Sequence, residues 1–288
     1  GQTGMLILAC LLLALRWLDR RPIVAGIMLG LAGNLKYQSL VVLPYLLIRR
    51  RWSALLSTLG SLVGLALSSA IVFGWERNTA YLTRAFGGLG RMVGMDAGSE
   101  AARVQTITWI RSVSFTSVFA RVQEWAGWPG AAMLGMVAIA ALACLAGVML
   151  LYRRHGHAVF VGRTGTADAS APRGWALTYM EWTGLLVSVL VFGPQTNARH
   201  MVLMIPLATL AGVLMLVPKP GVRRLPVLAA TVFLVLAFIL PPGTGDGNDA
   251  VHAWRWVGGI SIATITLLFV ALSGGLRWAR DLPAQPTS

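Results

Sequence analysis

Acidic residues are scarce in this 288-residue chain: Asp and Glu number 10 against 24 Lys and Arg, and charged residues of both signs make up only 12%. With 56% hydrophobic residues and a mean hydropathy of +0.70, that scarcity excludes an ordinary soluble domain. Cysteine is nearly absent. Cys10 and Cys144 both fall in apolar stretches without CxxC or CxxH spacing, which points to neither a disulfide framework nor a metal site. An initiator Met and a charged lead into a short apolar run are also missing, so the chain does not open as a signal peptide does. It reads as a fragment that starts inside a larger protein.

What is present is a series of long apolar runs, several of them close to the roughly 20 residues with which a helix crosses a hydrocarbon core of about 30 Å. They predict an all-α fold, a polytopic transmembrane helical bundle of about seven spans plus a re-entrant helical hairpin. The spans fall at 3–15, 53–73, 126–152, 176–192, 200–217, 225–240 and 254–272, within one integral membrane domain, 1–288, that ends in a cytoplasmic tail at 281–288. The net charge of +14 would suggest nucleic acid in a soluble protein. Here the cations gather in short joints between apolar runs, which argues for a membrane surface and against nucleic acid. Most of the 11 Trp residues sit at segment ends, as an interfacial aromatic belt does.

The stretch 23–48 sets the topology. Lys36 is its only charged residue, in the middle of "GNLKYQSLVVLP". Crossed once, as a tilted helix of about 39 Å, the stretch divides the remaining cations twelve to eleven between the two faces. Entered and left from the same side, it divides them fifteen to eight, with Arg16, Arg20, Arg21, Arg49, Arg50, Arg51 and the later clusters together. The positive-inside rule favours the second arrangement, a re-entrant hairpin over 23–48 with Lys36 at its tip in a polar cavity. Gly33, Asn34, Gln38 and Ser39 suit such a tip, since glycine frees the backbone and polar side chains bond it.

On the opposite, extracytoplasmic face the segment 74–125 is too long for a simple connection and too polar to cross lipid. "FGWERNTAYLTRAF" and "ARVQTITWIRSVSF" are amphipathic and predict two interfacial helices joined by the Gly-rich "GGLGRMVGMDAGSE". Later, "VFGPQTNARHMVLMIP" brings Gln195, Asn197, Arg199 and His200 to one short outer turn. Arginine offers a planar fork to phosphate and lysine a point charge, so Lys36, Arg111 and Arg199 could hold a phosphate group. Amide side chains suit sugar hydroxyls, which adds Gln2, Gln38, Gln105, Gln195 and Asn197 as candidate pocket residues. Each also has a plainer reading: Lys36 snorkelling to the interface, Arg199 and His200 in an ordinary polar loop, Arg111 and Gln105 on the wet side of an interfacial helix.

"GQTGMLILACLLLAL", "DRRPIVAGIMLGLAGNLKYQSLVVLPYLLIRRRW" and "GPQTNARHMVLMIPL" together resemble glycosyltransferase family 87, polytopic enzymes of the C-type glycosyltransferase fold. Members typically carry a Gly-Gln pair before an apolar helix, a Lys near the end of an "AG…GL…K" helix, an "RRW" exit and a late Pro-to-His turn. The resemblance implies transfer of a hexose, mannose above all, from a polyprenyl-phosphate donor to a lipid or glycan acceptor on the extracytoplasmic side of a bacterial inner (plasma) membrane. It implies no cofactor and no metal. Carried over, Gln2 and Lys36 fall on the "GQ" and "K" positions, and Lys36, Arg199 and His200 become the donor-phosphate ligands. The acid-base Asp of this fold precedes the "GQ" pair, so the catalytic base is expected upstream of Gly1 and this chain alone is expected to be inactive. Glu76 and Asp96 are the outer carboxylates that could substitute. Tyr37 stands where members usually carry Pro, which predicts a less sharply broken tip.

Two other classes stay open. A secondary transporter or lipid flippase would use a midplane lysine on a broken helix to bind an anion, and should carry a second broken, polar-tipped apolar segment in a related half. No second segment of that kind is evident in the sequence. A non-catalytic membrane scaffold is the third.

Overall fold

The computed structural model describes residues 2–92, 107–157, 159, 172–194, 196–216, 222–239 and 249–282. Among them the regular structure is helical throughout. In chain order the helices are α1 (Gln2–Trp17), α2 (Pro22–Leu35), α3 (Val42–Ile48), α4 (Trp52–Phe73), α5 (Trp75–Met92), α6 (Phe115–Ala126), α7 (Gly130–Arg154), α8 (Pro172–Phe192), α9 (Ile205–Leu216), α10 (Arg224–Ile239), α11 (Asp249–Trp256) and α12 (Gly259–Asp281). Two 3₁₀ segments, Tyr37–Val41 and Ala198–Met204, run directly into α3 and α9.

Among the described residues, five stretches are long and apolar enough to cross a membrane: α4, α7, α8, the continuous Arg199–Leu216 and α12. Each of the seven predicted spans coincides with a helix, although α1 and α10 have only 16 residues apiece. The last span is displaced from its predicted bounds of 254–272. Gly258, in the left-handed region at φ 76°, separates the short α11 from α12, so Trp254 belongs to α11 and Arg277 and Arg280 to the end of α12. A second correction concerns 102–115, expected as an interfacial helix. Residues 107–114 are turn and extended chain, and α6 starts only at Phe115, because the Ser114 side chain accepts from the Ser117 N–H and caps the helix there.

The core lies where α1, α2, α3, α8, α9 and α12 meet, with Leu11, Leu46, Leu186, Leu207 and Leu267 almost wholly enclosed. In contrast, α4 and α7 turn apolar residues outward: Ile71 is 88% exposed and Ile139 71% exposed. Apolar faces of that extent are what lipid-facing helices present.

The chain reverses after Lys36. Gly26 of α2 lies against Ala54 and Ser57, and Gly30 against Thr58 and Ser61, so α2 and α4 run parallel from the same end. The chain between them therefore comes back, and Arg51 pairs with Asp19 beside the start of α2. Close approach is possible only because the two residues lack a Cβ. A Cβ on Gly26 would stand 1.7 Å from Ser57 Oγ and one on Gly30 2.5 Å from Ser61 Cβ.

The returning arm is anchored by charge. Arg49, counted in the sequence as a loop cation, is 5% exposed and forms an ion pair with Glu181 of α8. Tyr45 O–H donates to the same carboxylate at 3.0 Å, and Trp182 packs edge-to-face on Tyr45 with ring centroids 6.2 Å apart. Trp182 is thus a core residue and not part of an aromatic belt.

Two stability predictions follow from these contacts. Gly26→Leu should destabilise the protein by about 1–3 kcal/mol through overpacking, whereas Gly60→Ala, with open space around the site, should leave thermal unfolding in detergent unchanged. Glu181→Leu strands the Arg49 charge and should cost about 3–5 kcal/mol, most of it recovered in the double variant Arg49→Met/Glu181→Leu. Thermal unfolding of the wild type and the two variants checks the recovery.

Candidate functional site

The bundle has two chemically different ends. One gathers Arg16, Arg20, Arg21, Arg51, Arg153, Arg154, Arg173, Arg277 and Arg280 around the joints of α1–α2, α3–α4, α7–α8 and the end of α12. At the other, a small cleft is lined by Gly4 and Ile7 of α1, Lys36 and Gln38 of the reversal, and Arg199, His200, Val202 and Leu203 of the second 3₁₀ segment. Among the described residues no carboxylate lines it. Its enclosed volume is about 10 Å³, room for a single water, so a larger group would rest across the mouth.

Backbone geometry aims these residues. Lys36 is extended, at φ −161° and ψ 124°, and its N–H closes α2 on Ala32 O at 2.9 Å. The break is sharp even though Tyr37 follows, contrary to the softer tip expected without proline. Ser39 O–H donates to Ala32 O at 3.3 Å, so a side chain supplies the backbone satisfaction that the turn needs. Gln38 is 5% exposed, and its amide nitrogen has no hydrogen-bond partner among the described residues. That nitrogen is a donor without an acceptor in a group facing the cleft.

Asn197 starts the second segment with a capping box. Its side-chain oxygen accepts from the Arg199 N–H at 3.1 Å, while its own N–H donates to His200 Nδ1 at 3.2 Å. In the neutral ring this leaves His200 Nε2 as the N–H donor. Arg199 is exposed at the rim, near enough to Lys36 for their charges to repel. Both 3₁₀ segments begin at the cleft and run toward the basic end, each continuing into a helix with proline in its first turn, Pro44 in α3 and Pro206 in α9. Their positive N-terminal ends point the same way as the two cations.

The second broken apolar element, Ala198–Leu216, is one that the sequence reading missed. Its signal was present in the cap-forming Asn197 and the proline that follows. The two broken elements run in the same direction, whereas an inverted-repeat carrier opposes them.

The sequence-predicted residues divide. Lys36, Gln38, Arg199 and His200 converge. Gln2 opens α1, whose next turn borders the cleft. Asn197 caps instead of lining. Arg111 is exposed, outside the cleft and close enough to Arg255 for their charges to interact. Gln105, Gln195 and Asp96 lie outside the described residues, and Glu76 is exposed on α5. A serine knot also escaped notice: Ser117 O–H donates to Ser112 Oγ at 2.7 Å and to Pro194 O at 3.2 Å, and Ser112 Oγ accepts from Thr196 N–H at 3.1 Å. It ties the start of α6 to the turn that carries Arg199. Arg121 of α6, which burial lowers to about 10, donates to the carbonyls of Trp109, Arg255 and Trp256 and closes the cap over this end.

Long apolar helices with lipid-facing sides and a cationic cleft at one end define a polytopic α-helical membrane protein. The model of glycosyltransferase family 87 matches residues 1–167, more than half of the chain, which belongs to that family and is a membrane glycosyltransferase. The match includes Lys36 and ends ahead of the turn with Arg199 and His200. No curated protein and no solved structure matches the chain.

Gln38→Met removes the unpartnered amide, so the protein without substrate should gain about 1–3 kcal/mol in thermal unfolding, and it should transfer sugar more slowly. Stability and transfer measured on one preparation check this opposition.

Proposed function

We propose that this enzyme transfers a hexose, mannose by the family resemblance, from a polyprenyl-phosphate donor to a lipid or glycan acceptor at the cleft end, which faces away from the cytoplasm. The convergence of Lys36, Arg199, His200 and the Gln38 amide nitrogen, which has no acceptor among the described residues, in a cleft that no described carboxylate lines carries this reading. Such a site favours an anion, and in this family the anion at hand is the phosphate that leaves.

In an inverting transfer a carboxylate takes the proton of the acceptor hydroxyl, the oxygen attacks the anomeric carbon, and the sugar–phosphate C–O bond breaks with its electron pair going to phosphate. Charge grows on the departing oxygen. Lys36 supplies a point charge there, Arg199 a planar fork, and Gln38 and His200 Nε2 neutral donors. The two parallel helix N-termini add their partial positive charge. The re-entrant placement of 23–48 follows from the same topology: the bundle's arginine-rich end lies in the cytoplasm by the positive-inside rule, and the hairpin rises from it. The family resemblance assigns the base to a carboxylate in a loop that precedes the Gly-Gln pair.

Membranes containing the complete protein, supplied with radiolabelled polyprenyl-phosphate mannose, test the assignment. Lys36→Ala should lower transfer about 10²–10³-fold, the scale of losing one group that stabilises developing charge, with Lys36→Arg retaining part of the rate. Full activity of Lys36→Ala at normal expression would remove Lys36 from the donor site.

A further inference from the structure

A large cavity lies at the basic end, far from Lys36. It encloses about 960 Å³ between the end of α1, the start of α8 and the end of α12. Arg16, Arg20 and Arg21 line it together with Trp17, Trp175 and Trp278. Its deeper wall is apolar, from Leu12 and Leu15. Next to Pro172, which lines the cavity, Arg173 Nε donates to Ala279 O at 3.1 Å and joins the first turn of α8 to the last turn of α12. One acid, Asp19, also lines the cavity, and Arg51 pairs with it from the returning arm. The three guanidinium groups of the lining have no acceptor among the described residues.

We infer that this cavity binds the headgroup of an anionic glycerophospholipid from the leaflet at the basic end. Three observations converge on that ligand. The cations exceed the single acid, and that acid is already paired, which leaves net positive charge for a phosphodiester. Indoles at the rim, including Trp175 stacked on Tyr179 with centroids 5.4 Å apart, suit the headgroup level of a bilayer. The apolar wall of Leu12 and Leu15 lies on the side toward the membrane interior, where the first carbons of an acyl chain would run. Basic recesses between transmembrane helices hold lipid headgroups in this way. A lipid there would touch α1, α8 and α12 together. The inference stands apart from the sugar-transfer reading, since it concerns the opposite end of the molecule.

Native mass spectrometry of the purified protein, with phosphatidylglycerol and phosphatidylcholine offered in equal amounts, reads the site. The wild type should retain phosphatidylglycerol at least about tenfold over phosphatidylcholine, given an attraction of roughly 1 kcal/mol per basic residue near such headgroups. The triple variant Arg16→Gln/Arg20→Gln/Arg21→Gln should lose that preference. A control, Arg153→Gln/Arg154→Gln/Arg224→Gln, removes three exposed cations that do not line the cavity and should keep it. If the cavity triple fails to fold, Arg20→Gln alone should cut the preference about threefold or more. Retained preference in the folded cavity variants, equal loss in the control, or equal retention of both lipids by the wild type overturns the proposal. Displacement of phosphatidylglycerol by millimolar inorganic phosphate would make the cavity a site for free phosphate and overturn it as well.

Discussion

The ion pair of Arg49 with Glu181 is the constraint on which the cleft depends. Arg49 closes the returning arm of the hairpin and Glu181 sits in the middle of α8. From Arg49 the arm climbs to Lys36, and from Glu181 the same helix climbs to Phe192 and the turn that presents Arg199 and His200. The two paths are of similar length, about 20 Å at the usual helical rise. Pairing their lower ends therefore sets the height at which their upper ends meet. Neither charge can leave without stranding the other in an apolar core, so the register is fixed by an all-or-none contact.

At the upper end the bundle holds groups that do not favour one another. Lys36 and Arg199 repel, the Gln38 amide nitrogen has no acceptor among the described residues, and two helix N-termini converge. None of these improves folding. They persist because the surrounding packing over-determines them: Gly26 and Gly30 lock α2 to α4, the serine knot fixes the turn after α8, and Arg121 closes the cap. An arrangement unfavourable when empty and favourable around an anion is what preorganised electrostatic stabilisation requires.

Much of this was legible in the residues themselves. The apolar runs located the helices, and a single ammonium in a hydrophobic stretch, with arginine clusters on both sides, marked where the chain turns. The rest depended on partners distant in sequence. Arg49 looks like its neighbours Arg50 and Arg51 until Glu181, a lone acid in an apolar helix 132 residues away, is seen to bury it. The start of α6 was hidden because Ser112 and Ser114 bond locally and to the turn near Thr196, which takes them out of the helix that their amphipathic pattern suggests. The limits of α12 turned on the positive φ of Gly258.

The hairpin's arms are short for a membrane. Each is about 20 Å long, shorter than the hydrocarbon layer, and a helix pair with a polar tip is a poor candidate for independent insertion. Its stabilising partners are α4, made just after it, and α8, which reaches the membrane only once some 130 further residues have been synthesised and Glu181 is available to Arg49. The hairpin is thus a late-seating element. The cleft at its tip comes into being only when the second half of the chain is in place, and a prematurely terminated product would carry Lys36 without Arg199 or the site.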